Sequence, residues 1–112
     1  MGALSRGYVP DVVFDIGAAD GNVVAQNDIS NSALDGIFVN FGSGPNLIER
    51  NTSNRNGRHG INIGPAGMTV TQNTTWFNAQ LGISAIFGAI DGGGNSAKHN
   101  GDTDECSPAI SC

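Results

Sequence analysis

Charge is scarce in this 112-residue chain: Asp, Glu, Lys and Arg together make up 13% of it, against roughly 25% in ordinary soluble domains. Five basic residues against ten acidic ones leave a net charge of −5. That balance excludes the dense Lys/Arg surface by which proteins displace counterions from a nucleic-acid backbone, so nucleic acid is not an expected partner. Long apolar runs are missing as well. No stretch approaches the ~20 residues that cross a bilayer, and the first ten residues lack the basic-then-apolar order of a secretory signal. No membrane partner is expected. Helix-forming stretches are also lacking, since no twelve-residue window free of Asn and Gly keeps a 3.6-residue apolar period.

Cysteine is limited to Cys106 and Cys112. Their spacing is too wide for a zinc or thioredoxin-type pair, and no nearby His or Cys completes a metal site, so neither a metal nor a cofactor is expected. The pair reads as a small disulfide loop tying down the C-terminal tail, which implies an oxidising compartment; two free thiols in a reducing one are the alternative.

What takes the place of charge is glycine and asparagine, 17 and 13 residues. They are not scattered. The phrases Asn22–Asn27, Asn46–Asn51, Met68–Asn73 and Asn95–Asn100 each set an asparagine five residues after an opening residue, at intervals of 24, 22 and 27. Nine residues after the second asparagine of the first three comes a glycine that opens an apolar alternation: Gly36-Ile-Phe-Val, Gly60-Ile-Asn-Ile and Gly82-Ile-Ser-Ala. Strict alternation marks a strand with one buried face, and Gly/Pro clusters such as Gly64-Pro-Ala-Gly67 end it. A second segment places Val24, Ile48, Val70 and Ala97 three residues before the repeated asparagine. A third, Asp28–Asn31, Thr52–Asn54 and Thr74–Trp76, is poorest in apolar residues in its second copy.

A period of 20–50 residues built from strands of three to five residues predicts a solenoid, in which successive coils pair in parallel and equivalent side chains stack. The fold class is therefore all-β, a short right-handed parallel β-helix of about four coils. The expected organisation is a lead-in over 1–11, coils over 12–102 and a disulfide tail over 103–112. Asn27, Asn51, Asn73 and Asn100 are the expected amide ladder, each side chain bonding to the next coil.

The pattern resembles the parallel β-helix repeat of the pectate-lyase-like superfamily, with Gly36–Asn51 and Gly60–Asn73 the closest segments. The run Asp91–Asp102 followed by Cys106 and Cys112 is similar to the closing coil of secreted bacterial members. The resemblance implies a secreted or cell-surface location and leaves the activity open, because members cleave polysaccharides, isomerise sugars or adhere to surfaces. Polysaccharide-active members use acids and a basic residue on adjacent coils; the candidates here are Asp28, Asp35, Arg50, Arg58 and His59, with Asp15 and Asp20 beside them. None of these acids recurs in the stacked register: Asp28 aligns with Thr52 and Thr74, and Asp35 with His59 and Leu81.

Asp15-Ile-Gly-Ala-Ala-Asp-Gly21 is also similar to the glycine-rich motif of S-adenosylmethionine-dependent methyltransferases, in which Asp15, Gly17 and Gly21 would approach the cofactor. That reading requires a helix directly after Gly21, where the repeat phrase begins instead. The leading expectation is a non-catalytic structural or binding module, engaging polysaccharide or a surface, from a larger secreted protein. The alternatives are a fragment of a polysaccharide lyase or hydrolase, an acidic inhibitor-like protein binder, and, remotely, a methyltransferase fragment. Short strands at an end coil leave an open edge through which self-association is expected.

Overall fold

The computed structural model describes residues 14–16, 21–39, 45–86, 88–107 and 109–112. The expected lead-in over 1–11, Gly17 and Asp20 lie outside them. Among the described residues twelve short strands follow one another: β1 Phe14–Ile16, β2 Val23–Ala25, β3 Asp28–Ser30, β4 Ile37–Val39, β5 Leu47–Glu49, β6 Thr52–Asn54, β7 Ile61–Ile63, β8 Thr69–Thr71, β9 Thr74–Trp76, β10 Ile83–Ala85, β11 Ile90–Gly93 and β12 Ser96–Lys98. They form three parallel sheets, ordered β1-β4-β7-β10, β2-β5-β8-β11 and β3-β6-β9-β12. Every third strand therefore stacks on the one before, and the chain is an all-β solenoid of about three turns, slightly fewer than the four coils counted from the repeat. β6 is a full strand despite its polar composition, because Ser53 is the residue that points inward and Thr52 pairs with Asp28 and Thr74.

The core consists of columns. Ile37, Ile61 and Ile83 stack in one register, Val39, Ile63 and Ala85 in the next, and Val24, Ile48 and Val70 in the second sheet. All are buried. The last column does not continue to Ala97. Val70 pairs with Asp91, and an irregularity in β11 follows at Asp91/Gly93, while Ala97 stacks on Thr75 in the third sheet. The fourth phrase is thus displaced by one strand from the other three.

That displacement also corrects the amide ladder. Asn27 donates from Nδ2 to Asn51 Oδ1 at 3.1 Å, Asn51 to Asn73 at 3.0 Å, and Asn73 to Asn95, not Asn100, at 3.1 Å. Each backbone N–H of the lower asparagine donates to the same oxygen. The second amide hydrogen turns back to the coil below, from Asn51 to Val24 O, Asn73 to Ile48 O and Asn95 to Val70 O. Asn100 belongs to a second ladder, running from Ser32 through Asn56 and Asn78 to Asn100.

The two ladders stand at the two bends on either side of the third sheet, and each follows a column of residues in the left-handed region. Gln26, Arg50 and Gln72 precede the first, with φ of 58, 54 and 56°; Asn31, Arg55, Phe77 and His99 precede the second, with φ of 62, 58, 60 and 58°. One left-handed residue turns the chain sharply between two strands, and the asparagine after it is aimed inward. The glycines that open the first-sheet strands serve the second ladder. A Cβ at Gly36, Gly60 or Gly82 would stand 2.7, 2.8 or 2.9 Å from Nδ2 of Asn56, Asn78 or Asn100. Glycine there makes room for the amides.

At the C-terminal end the tail closes the stack. Cys106 bridges Ile83 in parallel, Ser107 N–H donates to Ile83 O, and Ile110 is buried over the last coil. Cys106 and Cys112 are disulfide-bonded. Both ladders end on carboxylates, one from the cap and one from β11. Glu105 Oε1 accepts from Asn100 N–H and Nδ2 at 3.1 and 2.7 Å, and Asp91 Oδ1 accepts from Asn95 Nδ2 at 3.2 Å. Hydrogen bonds from Ser111 N–H, then Gly93 N–H, hold the Asp91 carboxyl below its ordinary 3.8.

Candidate functional site

The third sheet sends the chain into a loop that carries Asp35, and the next coil places Arg58 and His59 directly above it. The buried Asp35 carboxylate accepts from Arg58 Nη2 at 3.2 Å, Asn62 Nδ2 at 3.1 Å and His59 N–H at 3.1 Å. The structure thus brings together three of the five candidate residues and adds Asn62. It does not bring in the other two. Asp28 is exposed on the outer face of β3, and Arg50 is exposed at the first bend, donating from Nε to Gln72 Oε1 at 2.9 Å.

The cluster is built as a brace. Three donors fill most of the acceptor positions of a carboxylate that is only 2% exposed, so the group ties one coil to the next. His59 is similarly committed: its Nδ1 accepts from Leu81 N–H at 3.2 Å, so the neutral ring carries its proton on Nε2. Burial holds the His59 pKa below 6.5; the Asp35 carboxylate opposes this and the Arg58 guanidinium reinforces it. His59 borders an open depression of about 470 Å³ shared with Gln80, Leu81, Asp102 and Thr103. Among the described residues no group of three or more His, Cys, Asp or Glu could hold a metal ion.

The lowered His59 pKa has a measurable consequence. The unfolded chain binds the proton at a higher pH than the folded one, so the contribution is complete above about 6.5 and is lost as pH falls toward the folded value. Melting temperature should decline from about pH 7 to about pH 5 more steeply for the natural chain than for His59→Asn. Parallel profiles for the two would remove His59 as the cause.

A second arrangement, with no counterpart among the candidate residues, lies on the outside of the second bend. Arg55, Phe77 and His99 occupy equivalent positions on successive coils. Phe77 and His99 stack with centroids 5.2 Å apart and planes 15° from parallel, and Arg55 Cζ stands 5.4 Å from the Phe77 ring centre. Beside them on the outer face of the third sheet, Lys98 Nζ is 5.4 Å from the Trp76 ring centre, and Trp76 Nε1 donates to Ser96 Oγ at 3.3 Å. Phe77 is 49% exposed, a large area for an aromatic ring without a function. A chain with net charge −5 thus gathers Arg55 and Lys98 on one aromatic strip. The signal was available in the sequence, since Arg55, Phe77 and His99 are 22 residues apart, as are Trp76 and Lys98.

These observations define the class: a parallel β-solenoid with internal amide ladders, a braced acid and an external aromatic–cationic strip. Compared with protein-family models, with curated proteins and with solved structures, the chain gives no match.

Proposed function

We propose that the chain is a non-catalytic binding module of the parallel β-helix type, related to the pectate-lyase-like repeat proteins, that engages carbohydrate through the strip formed by Arg55, Trp76, Phe77, Lys98 and His99. The single observation that carries this reading is the exposure of that strip. Aromatic rings next to cationic donors are the chemistry that meets a sugar's C–H face and its hydroxyls together. A rigid stack of coils presents these groups at a fixed repeat, which suits a linear polymer or an adhesive surface. The braced Asp35, whose carboxylate is taken up by Arg58, His59 and Asn62, argues against a role as one of the paired carboxylates of glycoside hydrolysis. Val23–Ala25, directly after Gly21, is a strand, so the helix a methyltransferase loop needs is not there. The Cys106–Cys112 bond suits a secreted protein.

Trp76 is the chain's single tryptophan, so its emission reports on the strip directly. Titration with neutral and acidic oligosaccharides should change that emission saturably, and Phe77→Ala should weaken binding about tenfold, the loss of roughly 1.4 kcal/mol. Binding that ignores Phe77→Ala and Trp76→Phe, or turnover of the polymer, would count against the reading.

A further inference from the structure

Glycine follows two rungs of the second ladder. Asn56 precedes Gly57 and Asn100 precedes Gly101, whereas Asn78 precedes Ala79 and the first-ladder asparagines precede Asp28, Thr52, Thr74 and Ser96. The fold requires glycine at both places, since a Cβ at Gly57 would run into the Ala33 carbonyl and one at Gly101 into that of Ala79. Asn-Gly is also the pair in which a side-chain amide is most easily lost, because no Cβ shields the glycine nitrogen from the asparagine Cγ. Close stacking of the coils thus builds a labile amide into the ladder.

Folding locks both parties to that reaction. Gly57 N–H donates to Ser32 O and Gly101 N–H to Asn78 O, each at 2.9 Å. Asn56 is held by two coils: its Oδ1 accepts from Ser32 N–H and Oγ below, and its Nδ2 donates to Asn78 Oδ1 above. Asn100 is held from below in the same way, accepting from Asn78 N–H at 2.8 Å and Nδ2 at 3.0 Å, while its own Nδ2 donates to Thr75 O at 2.9 Å. Its upper partner is not a coil. It is Glu105, five residues on in the same loop, whose Oε1 accepts from both Asn100 N–H and Nδ2. A loop at the end of a stack opens without the stack unfolding, whereas Asn56 is freed only when coils part.

We propose that Asn100-Gly101 is a deamidation site gated by the Glu105 loop, and that its conversion releases the C-terminal cap one way. With the loop open, the Gly101 nitrogen attacks Asn100 Cγ. The new N–Cγ bond closes a cyclic imide, the Cγ–Nδ2 bond breaks, and Nδ2 leaves as ammonia with the proton shed by the Gly101 nitrogen. Water then opens the imide at either carbonyl and leaves aspartate or isoaspartate at this position. The product does not fit the old place. It has lost the amide hydrogens that met Glu105 and Thr75 O, and it sets a second carboxylate against Glu105, where two such groups do not both stay ionised. Loss of ammonia makes the change irreversible.

The test incubates the natural chain in mildly alkaline buffer, with and without urea, and follows Asn56, Asn78 and Asn100 by peptide mapping. In urea Asn56 and Asn100 should convert at similar rates and Asn78 far more slowly, because Ala79 carries a Cβ. In the folded chain Asn100 should convert at least about tenfold faster than Asn56, which reports global unfolding in the same molecules. Glu105→Ala should raise the Asn100 rate a further tenfold or so and leave Asn56 unchanged. Asn100→Asp, standing in for the product, should keep the β spectrum while the tail amides lose protection from hydrogen exchange. Asn100 as slow as Asn56 in the folded chain overturns the proposal. So does a Glu105→Ala chain in which Asn100 is no faster, or in which both sites accelerate together, since the loop would then hold the whole stack. An Asn100→Asp chain that loses its β spectrum, or whose tail stays protected, overturns the release of the cap.

Discussion

Replacing Ile61 with Asp should leave no folded chain at neutral pH. Ile61 is fully buried, with Ile37 stacked on one side and Ile83 on the other. A carboxylate in that column has no donor to meet it, and an unpaired buried charge costs more than the about 5–15 kcal/mol that holds a domain of this size together. The cost falls on the whole stack because each coil is stabilised by its neighbours and the middle one touches both. Circular dichroism should show loss of the β spectrum, whereas Thr69→Asp, on the outer face of β8, should melt close to the natural chain. A cooperative transition near the natural temperature for Ile61→Asp would show that the column is not the core.

Asn51→Ala should be the most damaging truncation of a polar side chain. The Asn51 amide donates to Val24 O and Asn73 Oδ1, and its oxygen accepts both Asn27 N–H and Asn27 Nδ2. Alanine leaves two donors and at least one acceptor without partners inside the stack. At roughly 1–3 kcal/mol for each stranded group, the loss should reach about 3 kcal/mol or more. Urea unfolding would measure it as a lower midpoint at unchanged slope. A change below about 0.5 kcal/mol, the range of ordinary surface substitutions, would mean that the ladder is decoration.

Both predictions rest on features that can be read in the chain before it is folded, and the comparison shows where such reading stops. The alternation after Gly36, Gly60 and Gly82 is sufficient to identify buried strands, because inward and outward residues of a strand must alternate. The columns of the first sheet follow from it without correction. The fourth phrase misleads because five residues also separate the two ladders, as from Asn51 to Asn56 and from Asn73 to Asn78, so Asn95-Ser-Ala-Lys-His-Asn100 fits two registers. The measure that decides is the distance from the glycine: Asn73 lies 13 residues after Gly60, and Asn95 lies 13 after Gly82. On that count Asn95 closes the first ladder, and Ser32, Asn56, Asn78 and Asn100 recur at 24, 22 and 22 as a second.

The candidate site was legible only in part. That Asp35, His59 and Leu81 share a register is visible from spacing, and the structure joins them through backbone N–H groups. That Asp35 is braced and not free is invisible there, because it depends on Asn62 and Arg58 reaching it from the outside of the next coil. The strip of Arg55, Phe77, His99, Trp76 and Lys98 was within reach of the 22-residue period but not of composition. Six per cent of aromatics gives no hint that two of them stand on one edge.

The amino-acid sequence by itself determined the period, the parallel stacking and the apolar columns of the first sheet, since each follows from local alternation and from repeats that only stacking can satisfy; it missed β11, whose Asp91-Gly-Gly reads as a turn, and so misplaced Ala97. Tertiary structure alone decided which amides bond to which and how Asp35 is held. Those outcomes depend on how groups from different coils meet across a few ångströms. The left-handed residues before each asparagine turn the amides inward, and the glycines of the facing strand leave them room. The tail brings Glu105 to the last donor of the second ladder, and Asp91 of β11 meets that of the first.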